Sequence, residues 1–146
     1  MLSIDMSDFQ TELEEAIKGS GVSHYHVNNL LEITDKIKRL YVDNNPRAWW
    51  LSLKYRSDIF SYADNLGYKD ILKIAKKNNF IQENDARIFF IADEDNEKMH
   101  IYRIPINSIE YIIENCRYFE YYAVAQDLSW LICENDHGDL IVYSSF

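Results

Sequence analysis

The sequence predicts an α+β fold: N-terminal helices followed by a mainly antiparallel β-sheet with one short helix packed on it. Up to residue 78 the apolar residues recur at helical spacing, whereas from residue 86 they fall into short β-branched and aromatic runs separated by turn residues. Helices first and strands later, without β–α alternation, favour an antiparallel sheet, here expected to be covered on one face. A chain of 146 residues that is 47% hydrophobic can bury a sizeable core without disulfide or metal staples. One domain over 1–146 is expected, helical over 7–78 and sheet-rich over 86–146.

The elements follow in order. Ser7 with Gln10 three residues on has the form of a capping box, and Phe9, Leu13 and Ile17 then form one apolar stripe that Gly19 and Gly21 end. Val22–Val27 is weakly strand-like. Asn29 with Glu32 opens a second helix on the stripe Leu30, Ile33, Ile37 and Leu40. Asn45-Pro46 predicts a third helix anchored by Trp49, Trp50 and Leu53, since proline at the first helical position loses no needed N–H. Ile59–Tyr62 reads as a brief strand, and a fourth helix after Gly67 turns Tyr68, Ile71, Leu72 and Ala75 inward. Arg87–Ala92 is apolar on both faces, as a buried strand is. The acidic turn Asp93-Glu94-Asp95-Asn96-Glu97 joins it to a strand over Met99–Ile104. Asn107 with Glu110 caps a short helix presenting Ile109, Ile112, Ile113 and Cys116. Strands at 120–124, 129–134 and 139–144 close the chain, joined at Gln126-Asp127 and at Asn135-Asp136-His137-Gly138.

Charge excludes some functions. The net charge of −9 argues against direct nucleic-acid binding, which draws its affinity from Lys and Arg on phosphates. Residues 1–35 carry one basic residue and seven acids (net −6), residues 36–77 ten and four (net +6), and residues 78–146 four and thirteen (net −9). The bland reading of that pattern is a set of solvated faces; the alternative is a polarised surface. No apolar run is long enough to span a membrane, and the first residues lack a basic and apolar leader, so a cytoplasmic protein is expected. Cys116 and Cys133 are then expected reduced.

The compact polar cluster is Glu134-Asn135-Asp136-His137-Gly138-Asp139. Glu134 continues the strand face of Trp130 and Ile132, which predicts a partly buried carboxyl with a raised pKa, a property of general acids and bases. With His137 and Asp139 it could form a hydrolytic, ligand-binding or metal site. Against this, Asn, Asp and Gly are ordinary hairpin residues, and a structural role is the expectation. His24 and His26 have the spacing of a chelating pair on a strand, but two ligands are too few and nothing pairs them with His100 or His137. Trp49-Trp50 could be a stacking platform, although adjacent helical residues diverge by about 100° and at least one belongs in the core. No phosphate loop, nucleophile elbow or zinc pattern is present, and no cofactor is expected.

The run Tyr118-Phe119-Glu120-Tyr121-Tyr122-Ala123-Val124, then Asp127-Leu128-Ser129-Trp130-Leu131-Ile132-Cys133-Glu134-Asn135-Asp136-His137, resembles a family of small, largely uncharacterised bacterial proteins. Its pattern is F-E-Y-Y-x-V followed by D-x-x-W-L-x-x-E-N-H-H-D. Trp49-Trp50 and the Ile88–Asp93 strand are similar to the same pattern. The sequence departs from it at Asp136, where the family has a histidine, and at Gly138, which weakens a His-pair metal site. In size, charge and layout the chain also resembles acidic α+β immunity proteins of the Smi1/Knr4-like kind. Those resemblances imply a protein that binds and occludes a basic partner, a toxin or nuclease. The expected contact residues are Asp93, Glu94, Asp95, Glu97, Glu134, Asp136, His137 and Asp139, with Tyr121, Tyr122 or Tyr143 on the open sheet face as the anchor. A phage inhibitor mimicking nucleic-acid charge is the same physical class; a small hydrolase using Glu134, His137 and Asp139 is the alternative.

Overall fold

The computed structural model describes residues 8–44, 46, 48–51, 58–62, 66–95, 98–135 and 137–144. Its helices are α1 (Asp8–Gly19), α2 (Leu30–Tyr41), α3 (Ile71–Lys77) and α4 (Ile109–Glu114). Its strands are β1 (Asp58–Ser61), β2 (Arg87–Asp95), β3 (Lys98–Pro105), β4 (Glu120–Val124), β5 (Trp130–Glu134) and β6 (Asp139–Ser144). They form a six-stranded sheet in the order β1-β6-β5-β4-β2-β3, antiparallel at every pairing. The α+β expectation holds.

The sheet is covered on both faces rather than one. The pleat sends alternate residues to opposite sides. Ile88, Phe90, Ala92, Tyr121, Ala123, Trp130, Ile132, Leu140 and Val142 meet Phe9, Leu13 and Ile17 of α1, Ile71 and Ile74 of α3, and Ile109 and Ile112 of α4. Ile91, Ile101, Tyr122, Val124, Leu131, Cys133, Ile141 and Tyr143 meet Ile33, Ile37 and Tyr41 of α2, and Trp49. Each fully buried side chain of this size contributes about 1.5–3 kcal/mol relative to exposure. Runs such as Tyr121–Val124 and Leu131–Cys133 are apolar on both parities, so neither side of these strands can face water.

Several local expectations change. α2 begins at Leu30, but Asn29 makes no capping bond to the backbone; its Nδ2 donates to Glu32 Oε2 at 3.3 Å. Ser7 lies outside the described residues. The expected third helix is, among them, a 3-10 turn at Trp49–Leu51, and Leu53 lies outside. α4 follows a 3-10 turn at Ile106–Ser108, so Ser108 rather than Asn107 precedes it. The strand-like segment 22–27 contributes one bridge, His26 to Tyr102, and the bond from Arg103 N–H to the Tyr25 carbonyl at 2.8 Å. Both cysteines are free: Cys133 is buried under α2, Cys116 is half-buried on the other face, and burial pushes the Cys116 thiol up to about 11.

Among the described residues, the basic side chains of the middle segment divide between two surfaces. α2, with Lys36, Lys38 and Arg39, covers one face of the sheet, whereas α3, with Lys73, Lys76 and Lys77, packs on the other.

Candidate functional site

The two acidic turns, some forty residues apart in sequence, fall at the same end of the sheet, with β4 between the strands that carry them. β2 finishes there: Asp93 faces Glu120 at the start of β4, and Asp95 faces Lys98 at the start of β3. β5 finishes beside them, with Glu134 facing both Tyr121 of β4 and Leu140 of β6. Asp139, first in β6, pairs with Ser61 of β1 and accepts its hydroxyl at 3.0 Å. A rim therefore runs from Asp93 and Glu94 through Glu120 to Asp139.

Glu120 is a rim residue that the sequence reading does not single out. It has the strand parity of Tyr122, so it lies on the α2 face, where Trp50 Nε1 donates to its Oε2 at 3.1 Å. Trp50 also stands edge-on to the exposed His137 ring, with centroids 5.6 Å apart. Its neighbour Trp49 packs on Tyr122 in the core, so the Trp pair divides between interior and rim. Like charges facing across a strand pair, as Asp93 and Glu120 do, repel, and a cation placed between them is favoured. On the other parity, His100 Nε2 lies 2.8 Å from Glu94 Oε1. A cleft of about 340 Å³ opens at this end, lined by Asp93, Glu94 and Glu120 together with Phe9, Arg117, Tyr118 and Phe119. Arg117 is engaged: its backbone N–H and its Nε both donate to Glu12 Oε1, which holds that carboxyl below its ordinary range. Tyr118 is 55% exposed.

The hydrolytic grouping does not assemble. Glu134 shares the face of Trp130 and Ile132, whereas Asp139 shares the face of Ile141 and Tyr143, so the pleat points the two carboxylates to opposite sides. His137 lies beside Trp50 on the rim. Glu134 is 4% exposed, and it accepts the Tyr121 hydroxyl at 2.9 Å and the Gly67 N–H at 2.8 Å. Burial pushes its carboxyl above the ordinary 4.5, against the lowering effect of the Tyr121 hydroxyl and of the backbone N–H groups of Gly67 and Tyr68. The raised pKa read from the sequence is therefore present, but in a carboxylate that ties the 67–70 turn to the sheet. Asn135 has a comparable role, its Oδ1 accepting the N–H groups of His137 and Asp139 while Gly138 takes φ 81° to close the hairpin.

The expected aromatic anchors also move. Tyr121, Tyr122 and Tyr143 are 2%, 0% and 7% exposed, because α1, α3 and α4 cover one face and α2 the other; none is available to a partner. Glu97 and Asp136 lie outside the described residues. His24 has φ 56°, which breaks the alternation that would place it beside His26. Among the described residues no group of three His, Cys, Asp or Glu side chains is placed to hold a metal ion, and no helix is long and apolar enough to cross a membrane.

Sheet and rim together define an α+β domain with carboxylates gathered at one sheet end. The chain belongs to a family of unknown function, DUF6756, whose model matches residues 7–146. No curated protein and no solved structure matches it.

Proposed function

We propose that this is an acidic binding protein of the immunity or inhibitor type, which occludes a basic partner protein, a toxin or nuclease, with the acidic end of its sheet. The observation that carries the reading is that the antiparallel connectivity collects Asp93, Glu94, Glu120 and Asp139, from separate segments, on one rim beside an aromatic-lined cleft. A partner Lys or Arg entering that cleft meets carboxylates on one side and the Tyr118 ring on the other. Such charge complementarity speeds encounter and rejects acidic competitors, and a central aromatic slows departure. Tyr118 replaces the buried tyrosines as the anchor. Inhibition of a nucleic-acid-binding protein by charge mimicry uses the same contacts.

The test is affinity capture from the native host followed by binding kinetics at two salt concentrations. Neutralising Asp93, Glu94, Glu120 and Asp139 to Asn or Gln should lower the on-rate about tenfold or more and flatten its salt dependence. Tyr118→Ala should instead raise the off-rate, at a cost of about 2 kcal/mol. A captured partner that is itself acidic, or an affinity indifferent to salt and to the neutralised rim, sinks the proposal.

A further inference from the structure

At the other end of the α2 face lies a cleft of about 320 Å³ with a different lining. Its polar wall is His26, Asn28, Asn29, Lys36, Arg103 and Gln126, and its floor is the apolar surface of Ile33 and Phe89. We propose that this cleft binds a small organic anion, a carboxylate or phosphate carried on a flat apolar body.

The charge of the lining is the first argument. In a chain of net charge −9, the ionisable side chains lining this cleft are His26, Lys36 and Arg103, with no carboxylate among them. The larger cleft of about 560 Å³ by Trp130 is lined by Glu83, Asp85 and Asp127 with Arg87, and the rim cleft by Asp93, Glu94 and Glu120 with Arg117. Among the described residues the Arg103 guanidinium has no ion-pair partner. Lys36 is shared: the Glu32 carboxylate bridges two lining residues, its Oε1 3.1 Å from Lys36 Nζ and its Oε2 accepting from Asn29, so Arg103 carries the larger part of the recognition.

The backbone is the second argument. α2 is twelve residues long and starts at this cleft, with Asn29 leaving the first turn without a side-chain cap. The N–H groups of that turn have no intrahelical acceptor and carry the positive end of the helix dipole, the arrangement that receives anionic oxygens. Asn28 adds an amide donor and the His26 ring an N–H, whereas the amides of Asn29 and Gln126 already donate to Glu32 Oε2 and to the Arg87 carbonyl. The third argument is shape and rigidity. The volume is at the lower end of small-molecule sites, and the lining is mainly polar, with Val27, Ile33, Phe89 and Leu128 as its apolar part. Leu128 on the rim is fixed at φ 63°, a conformation few side chains other than Gly accept, with its carbonyl held by the Tyr41 hydroxyl at 2.7 Å.

The experiment is an amide-resolved NMR titration of the full chain with phenyl phosphate, benzoate, inorganic phosphate and benzyl alcohol. Phenyl phosphate and benzoate should give saturable shifts at Leu30, Leu31, Glu32, Arg103 and Gln126. Arg103→Gln should weaken that binding about tenfold or more with the remaining spectrum unchanged, the expected loss of a charge-assisted contact. Lys36→Gln, a second substitution at an exposed site, should weaken it less. No saturable shift from either organic anion, shifts as large from benzyl alcohol, or unchanged affinity in Arg103→Gln would each overturn the site. Inorganic phosphate binding as tightly as phenyl phosphate overturns the assignment of an apolar body.

Discussion

On the face covered by α2, one end of the sheet carries Asp93, Glu120 and Asp139, while the other carries Arg103 beside Lys36 and His26. Between them the same rows are filled by Ile91, Ile101, Tyr122, Leu131 and Cys133, all buried. From Asp93 to Phe89 is four residues of one strand, about 13 Å at roughly 3.3 Å per residue. That exceeds a screening length of about 8 Å at physiological ionic strength, so the two ends act as separate electrostatic surfaces. A single pleated face can thus present opposite charges without opposing them, provided its central rows are apolar. The connectivity decides which charges gather: the β2–β3 and β5–β6 turns fall at the acidic end and the β4–β5 turn at the other.

The largest effect should come from the rows that hold both ends. Phe90 is fully buried in the middle of β2. Phe90→Ala should cost about 3–5 kcal/mol in urea unfolding. Both ends should be lost together, with amide signals of Arg103 and Asp139 vanishing over one transition. Separate transitions would mean that the ends belong to independently stable parts, and the comparison would no longer describe one sheet.

Next in size are changes at the acidic end that leave the basic end alone. Glu134→Ala removes the acceptor for the buried Tyr121 hydroxyl and the Gly67 N–H, and should cost about 1–3 kcal/mol. Gly67→Ala acts from the other side of the same contact. A Cβ there would stand 2.8 Å from Glu134 Oε2 and 3.2 Å from Leu140 Cβ, so crowding should cost about 1–3 kcal/mol. Thermal unfolding checks both, and a neutral outcome for Gly67→Ala would show that the 67–70 turn yields easily.

How much of this contrast is legible in the sequence differs between the ends. Each acidic turn is contiguous, so Asp93-Glu94-Asp95 and the 134–139 cluster stand out as charge, and the alternation Trp130, Ile132, Glu134 discloses a buried carboxyl. That the turns share an end follows only from strand order, which no local pattern states. Glu120 is hidden because a lone acid before an aromatic strand carries no signal of its own. The second covered face is signalled by Tyr121–Val124 and Leu131–Cys133, apolar at both parities, a pattern the sequence reading uses only for the strand at 87–92. The basic cleft cannot be read at all, since residues 26, 36, 103 and 126 come from separate segments that long-range packing alone brings together.

A smaller effect is the pH dependence of the buried latch. The Glu134 carboxyl has a folded pKa above its ordinary value, chiefly through burial. Over the interval between the two values the folded state holds more protons than the unfolded chain, so stability falls as pH rises through it. A tenfold difference in proton affinity between the two states corresponds to about 1.4 kcal/mol. Glu134→Gln should therefore flatten the stability–pH curve from just above pH 4.5 upward, whereas Arg103→Gln at the far end should leave it unchanged. A wild-type curve that rises with pH over that interval, with Glu134→Gln lowering the rise, would mean that hydrogen bonds to the carboxylate outweigh its burial.

The smallest effect isolates the charges themselves. Carboxylates gathered on one rim of an acidic protein repel, and added salt weakens that repulsion, so raising ionic strength should stabilise the native chain. With Asp93, Glu94, Glu120 and Asp139 neutralised, the gain should shrink. Neutralising Lys36 and Arg103 should work in the opposite direction, because it makes the chain still more negative and leaves the rim intact. Urea midpoints at low and high salt for the three proteins decide the matter. If the rim variant keeps the full salt response, the repulsion is spread over the whole surface, and what distinguishes the acidic end is its cleft and its aromatic residues rather than its charge.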